Sequence, residues 1–460
     1  MNFKKYIGDK KFYRTVLAVA VPMMIQNGIT NFVNLLDNIM VGTLGTEAMS
    51  GVSIVNQFVF VFNLMIFGAI SAAGIFTAQY HGQGDIKGER DTFRFKILIN
   101  LVSCAVGIAV FALFDEALIS TFLHAGSAEG DLELTLAFGK EYLFVMLFGL
   151  LPYAISQAYA STMRETGETF VPMIASVAAV ATNFLLNIVL IFGYLGFPAL
   201  GVTGAAIATV ASRAAELVIL AVWGHTHTEK CGFLLRAYKT LLIPKALAVQ
   251  IVIKGLPLML NELLWSLSIT VRNRCFSVHG LDVVAAQNIS NTIFSVFNVV
   301  YMALGMSVAI IIGNLLGAGK TEEAKDQDVK LMFFSTATGI FIGLLMAATA
   351  PFFPEIYETT DAVKSLATYM MIVSAVTMPF CSYANAAYFT LRSGGKVSVT
   401  LLFDCVYMWV LVVPLAFVLS LFKDTVNIQV MFAICSATDL IKALFGYTLL
   451  KKGTWAKKLV

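Results

Sequence analysis

Twelve apolar runs, each about twenty residues or longer, follow one another along this 460-residue chain, and few folds can accommodate them. A backbone that crosses hydrocarbon finds no water to bond, so each run must close its own hydrogen bonds as a helix. The runs fall at 14–40, 48–79, 95–115, 137–159, 170–192, 203–223, 250–277, 284–316, 329–353, 365–390, 398–421 and 427–449. Hydrophobic residues make up 58% of the chain and charged residues 13%, whereas soluble domains average about 45–50% and about 25%. The pattern predicts an all-α membrane protein with twelve transmembrane helices. A net charge of +3 gives no sign of a nucleic-acid-binding protein.

The loops test that count. Twelve spans place both termini and five loops on one side, and that side carries 24 of the 31 Lys and Arg residues. They include Lys4, Lys5, Lys10, Lys11 and Arg14 at the start, the run from Lys87 to Lys96, and Lys451, Lys452, Lys457 and Lys458. The opposite loops hold Lys140, Lys364 and Lys423, beside Asp115, Glu116, Glu129, Asp131, Glu355 and Asp361. Arg213, Arg272, Arg274 and Lys442 remain within spans. The positive-inside rule then predicts a multi-pass protein of the cytoplasmic (plasma or bacterial inner) membrane, with both termini in the cytoplasm.

The chain also repeats itself. At an offset of 235 residues Pro22 falls on Pro257, Gly45 on Gly280, Asn56 on Asn291, Gly82 on Gly317 and Gly84 on Gly319. Later the offset shortens to 228, with Thr162 on Thr390, Arg164 on Arg392 and Gly167 on Gly395. Two six-helix lobes follow: residues 1–223, a basic cytoplasmic linker at 224–249, and residues 250–460. An even number of spans per repeat gives both lobes the same orientation, related by a pseudo-two-fold axis along the membrane normal. Such a duplication around a central cleft suits alternating access.

Other motifs lead nowhere. Gly317-Ala318-Gly319-Lys320-Thr321 resembles the tail of a phosphate loop, but Asn314 stands where that motif needs glycine, so the glycines read as a helix end. The six cysteines are scattered and predict neither disulfides nor a metal site. His225, His227 and Cys231 share a linker without a further ligand at ordinary zinc spacing. The basic N-terminus has no small-residue cleavage site before the first span, so no removed signal peptide is expected.

The stretch Asn34-Leu35-Leu36-Asp37-Asn38-Ile39-Met40-Val41-Gly42 resembles the first helix of multidrug and toxic compound extrusion (MATE) transporters. Asn183-Phe184-Leu185-Leu186-Asn187, Gly201-Val202-Thr203-Gly204-Ala205 and Leu391-Arg392-Ser393-Gly394-Gly395 extend the likeness across both halves. The resemblance implies a two-lobed exporter of cationic or amphiphilic compounds driven by protons or sodium ions. It also implies an acid matching Asp37 that exchanges the coupling cation, and another on the seventh helix, where Glu262 stands.

Charged groups inside the membrane cost about 2.5–3.5 kcal/mol each on insertion scales, so each one asks for a reason. Asp37, Glu262 and Asp404 are candidates for cation coupling, Asp404 standing on the eleventh helix in place of the tenth-helix acid that other members pair with the acid matching Glu262. The plainer reading of Asp37 is a carboxylate reaching the outer interface. Asn34, Asn183 and Asn187 are candidate substrate or cation contacts; the last two lie four apart, on one helix face, and interhelical polar glue is their plainer role. Arg213 with Glu216, and Asp439 with Lys442, are one turn apart at equivalent repeat positions, and are expected to neutralise each other as structural pairs. Arg272 and Arg274 read as outer-interface anchors, although Arg272 occupies the repeat position of Asp37.

The expected function is secondary active multidrug efflux, in which small molecules are exchanged for protons or sodium ions. The chain is expected to be no enzyme, to need no cofactor or metal, to sit in the bilayer without nucleic acid, and to work as a monomer. The alternative is a flippase for a lipid-linked saccharide. That activity would favour a more cationic cleft than Arg213, Arg272, Arg274 and Lys442 supply.

Overall fold

The computed structural model describes residues 6–123 and 132–460, apart from the side chains of residues 34, 35 and 121–123. Lys4, Lys5, Glu129 and Asp131 of the charge pattern, and the side chain of Asn34, lie outside the described residues. Among the described residues there are helices and no strands. They run α1 (Lys10–Gly42), α2 (Thr46–Gln83), α3 (Ile86–Leu113), α4 (Asp115–Leu123), α5 (Leu132–Glu165), α6 (Phe170–Phe192), α7 (Gly201–Thr226), α8 (Lys245–Ser277), α9 (Leu281–Gly317), α10 (Thr321–Thr349), α11 (Asp361–Ser393), α12 (Val397–Leu401), α13 (Val413–Leu421) and α14 (Ile428–Lys451). Twelve segments are long and apolar enough to cross a membrane, α12 and α13 counting as one from Val397 to Leu421.

Two features depart from the sequence reading. The stretch after the third span forms α4, whose first turn places Asp115 and Glu116 at the positive end of the helix dipole. Lys140 of α5 pairs with both, at 3.6 and 3.1 Å. The eleventh span is not a uniform α-helix: π-helical turns cover Leu402–Val406 and Met408–Val412. Pro414 has no N–H for the carbonyl four residues before it, which accounts for the widened second turn.

Polar groups end the long helices at the surface. Asp85 caps α3 by accepting from the N–H groups of Lys87 and Gly88, at 3.0 and 3.1 Å. Gly84 and its repeat partner Gly319 take φ of +78° and +75°, so the near-miss phosphate loop is a left-handed helix end.

The chain forms two compact units that do not follow the division at 223 and 250. One comprises Ile25–Thr77 and Asp85–Gly255; the other comprises the described residues up to Met24, Ala78–Gly84 and Leu256–Val460. The beginning of α1 belongs to the second unit because Phe12, Val16 and Ala20 bury against Leu304, Val308 and Ile312 of α9. The 224–249 linker belongs wholly to the first. Its Cys231, Phe233, Leu234 and Ala237 complete a core with Phe93, Tyr159 and Leu220. Arg94 of α3 fastens it by donating to the carbonyls of Ala237 and Arg236, at 2.8 and 2.9 Å.

Within the second unit the end of α2 crosses α9 at two glycines. A methyl group on Gly82 would overlap the carbonyl oxygen of Asn314, and one on Gly317 would overlap the carbonyl of Gln79. Both contacts join the same repeat positions in reverse. Fully buried Gln79 then holds the C-terminal segment: its Nε2 donates to the carbonyls of Ser393 and Lys457, and its Oε1 accepts from the Leu459 N–H at 2.7 Å. Gly82→Ala and Gly317→Ala should each destabilise the protein by about 1–3 kcal/mol through overpacking. Gly28→Ala, where a methyl group meets nothing within 4 Å, should leave stability unchanged or raised. Thermal unfolding of the three variants in one detergent checks this.

Candidate functional site

Each unit carries its own polar cluster between apolar helices. In the first, Asn183 and Asn187 stand one turn apart on α6 and face Asp37 near the far end of α1. Asn187 Nδ2 donates to the Asp37 carboxylate and, at 3.2 Å, to Asn183 Oδ1. Asn183 Nδ2 in turn donates to the Thr209 hydroxyl of α7 at 3.3 Å. Among the described residues no cation is bonded to Asp37. Moreover, Asn187 Oδ1 is buried without a hydrogen-bond donor. The Asp37 carboxylate is thus held by an amide whose own oxygen is unsatisfied, and both are hard oxygen donors suited to a proton or a small cation.

The second unit is arranged differently. Asp404 lies in the first π-helical turn, where it accepts from Asn261 Nδ2 at 3.0 Å and from Lys442 Nζ at 2.5 Å. The Lys442 ammonium also lies 5.5 Å above the Phe403 ring. Glu262, next to Asn261 on α8, accepts from the Tyr388 hydroxyl of α11 at 3.3 Å, and Arg392 is the cation facing it. Asp404 and Glu262 share no hydrogen bond; Asn261 is the residue that connects their neighbourhoods.

The expected internal pairs do not form. Arg213 lies 5.0 Å above the Tyr153 ring, and one of its Nη atoms is buried without a partner. Glu216 accepts instead from Ser176 Oγ at 2.7 Å. Lys442 reaches across to Asp404, and Asp439 accepts from the Cys381 thiol at 3.2 Å. Three-residue spacing puts two side chains on one helix face, but that face looks onto a neighbouring helix, and the neighbour supplies the partners. Arg272 lies 5.8 Å from the Phe276 ring. Lys96, counted with the loop charges, is fully buried and bonds Glu165, Ser161 and Thr162.

The site members that sequence reasoning missed are neutral: Thr209, Ser176, Gln26, Asn261 and Tyr388. Only their position on apolar helices hinted at a role. Among the described residues no group of three or more His, Cys, Asp or Glu side chains is placed to hold a metal ion. In the linker, His227 stacks on Trp223 and Tyr159 bonds His225. Burial pushes the Cys231 thiol up to about 12, which leaves it protonated.

The Asp404–Lys442 bond should show as a coupling of about 1–3 kcal/mol in a double-mutant cycle of Asp404→Asn and Lys442→Gln. The readout is thermal unfolding, with Lys442→Gln alone the most damaging change because it strands a buried carboxylate. Coupling near zero would contradict the assigned pair.

Comparison with known proteins gives this arrangement a context. A family model described as MatE matches residues 22–189 and 257–418. The two stretches begin at Pro22 and Pro257, in the register of the internal repeat. A probable multidrug resistance protein NorM of Thermotoga maritima is 24% identical over 429 residues, covering 91% of this chain and 88% of the relative. A probable multidrug resistance protein YoeA of Bacillus subtilis is 23% identical over 455 residues, covering 97% and 95%. The crystal structure of a mutant of the Vibrio cholerae MATE transporter VcmN superimposes with a TM-score of 0.86 at 18% identity, covering 97% of this chain and 98% of that one. With one family model recognised in each half, and a shared twelve-helix fold, the chain belongs to the MatE family.

Proposed function

We propose that this protein is a multidrug exporter, a transporter rather than an enzyme, which exchanges cationic or amphiphilic small molecules for protons or sodium ions by alternating access. The relatives named for multidrug resistance support the export of small molecules. One observation carries the ion coupling: the Asp37 carboxylate is held by the neutral amide of Asn187, whose buried oxygen lacks a donor. Such a site is incomplete without a positive charge, and filling it changes the cost of burying the carboxylate. Binding of a cation therefore biases the arrangement of the helices that hold it, by as much as its affinity differs between them.

Glu262 is the coupling acid of the other half in this reading, whereas Asp404 is a fixed anchor because Lys442 already neutralises it. In this reading the protein works as a monomer in the cytoplasmic membrane with both termini in the cytoplasm, and the loop charges support that orientation.

Reconstituted vesicles under an imposed proton or sodium gradient test the reading. Asp37→Asn and Glu262→Gln should each slow gradient-driven efflux about tenfold or more, equivalent to about 1.4 kcal/mol on the barrier. Ligand binding without a gradient should be retained. Wild-type efflux in both variants would refute ion coupling through these acids.

A further inference from the structure

Each half contains a three-residue polar bridge built on the same repeat positions. In the first unit Gln26 Nε2 donates to Ser176 Oγ at 2.8 Å, and the Ser176 hydroxyl donates to Glu216 Oε1 at 2.7 Å. In the second unit Asn261 and Lys442 both donate to Asp404, at 3.0 and 2.5 Å. Gln26 corresponds to Asn261 at the offset of 235, Ser176 to Asp404 at 228, and Glu216 to Lys442 at 226. The geometry is shared, but the chemistry is exchanged. One bridge runs amide, hydroxyl, carboxylate; the other runs amide, carboxylate, ammonium.

We propose that Glu216 is a second proton-binding group of the first half, placed by the Gln26–Ser176 bridge at the position that Lys442 occupies in the other half. The nature of the partners decides this. Lys442 and Asn261 donate to the two different oxygens of Asp404, so a proton on either oxygen would face a donor and would forfeit the ion pair with the ammonium. A hydroxyl both donates and accepts, so Ser176 can donate to the ionised Glu216 or accept from its protonated form. The Glu216 position therefore accommodates both charge states without losing its partner, and the Asp404 position accommodates one.

The surroundings permit the exchange. Glu216 is 7% exposed and lies on α7, which packs against α5 and α6. From α5 it faces Tyr153, the Ser156 hydroxyl and the cation Arg164, and from α6 the Ser176 hydroxyl, α6 carrying no charged residue; from α7 itself it faces Arg213, and the charged residue on the first-unit part of α1 is Asp37. Neither arginine makes an ion pair with Glu216, so their positive charge favours the carboxylate without bonding it shut. The step is a single equilibrium, carboxylate plus proton to carboxylic acid, and no other atom moves between groups.

As an element of transport the proposal rests on the ion-coupling reading above, but as a protonation equilibrium it stands by itself. Infrared difference spectra of the full-length protein in lipid vesicles, recorded as bulk pH is stepped, report neutral carboxylic acids through their C=O stretching bands. In wild type, a component assignable to Glu216 should grow as pH falls. Glu216→Gln should lose that component, and Asp37→Asn should keep it. Ser176→Ala, which retains the acid and removes its hydroxyl partner, should shift the band in frequency and in titration midpoint. Asp404→Asn should remove no titrating component.

The proposal is overturned if Glu216→Gln retains every titrating band of the wild type, or if Ser176→Ala leaves all of them unmoved. The latter variant decides the matter should Glu216→Gln fail to fold. A titrating band lost in Asp404→Asn would overturn the contrast between the halves. Efflux that survives both Asp37→Asn and Glu262→Gln would end the coupling reading while leaving the Glu216 band as it was found.

Discussion

Hydrocarbon offers a polar side chain nothing to bond, so charged groups buried in this protein draw partners from neighbouring helices. Lys96 is met by Glu165 and two hydroxyls, Asp328 by the Thr390 hydroxyl at 2.6 Å, and Asp404 by Lys442 and Asn261. These contacts fix which helices are neighbours and in what rotation, because an apolar surface alone tolerates sliding. At Asn187 Oδ1, on the side chain that holds Asp37, such a partner is absent.

Much of the framework was legible. The twelve spans, the offset of 235 and the helix-ending glycines rest on length, alternation and glycine's freedom at positive φ, all local or additive signals. The pairing of charges was not. Arg213 with Glu216 and Asp439 with Lys442 satisfy the helical spacing rule, yet the spacing says nothing of what a neighbouring helix presents. A serine for Glu216, an aspartate for Lys442 and a thiol for Asp439 outcompeted the charged neighbour one turn away. Nor did the spans reveal that the start of α1 and the end of α2 pack with the other half, since an apolar helix reads the same whichever core receives it.

The duplication matters most where it is imperfect. Backbone devices such as Gly82 with Gly317, and Gly84 with Gly319, are retained in both halves. The ionisable residues are redistributed over equivalent positions: serine against aspartate, glutamate against lysine, aspartate against arginine at 37 and 272. Shape and charge have thus been free to diverge separately. At the positions compared, the first half sets Asp37 and Glu216 against neutral donors, which suits groups that change charge. The second half commits one carboxylate to a permanent counter-ion and leaves Glu262 with a phenol and a facing arginine.

The grip of Gln79 on the C-terminal segment bears on how the protein is handled. The Leu459 amide and the Lys457 carbonyl are both bonded to one buried side chain on α2, and Trp455 is 2% exposed among the residues that pack the start of α1. Any force on the chain beyond Leu459 is therefore delivered to the crossing of α2 and α9. An affinity tag or fluorescent protein joined there is mechanically attached to that crossing, and attachment through a long flexible spacer would relieve the load.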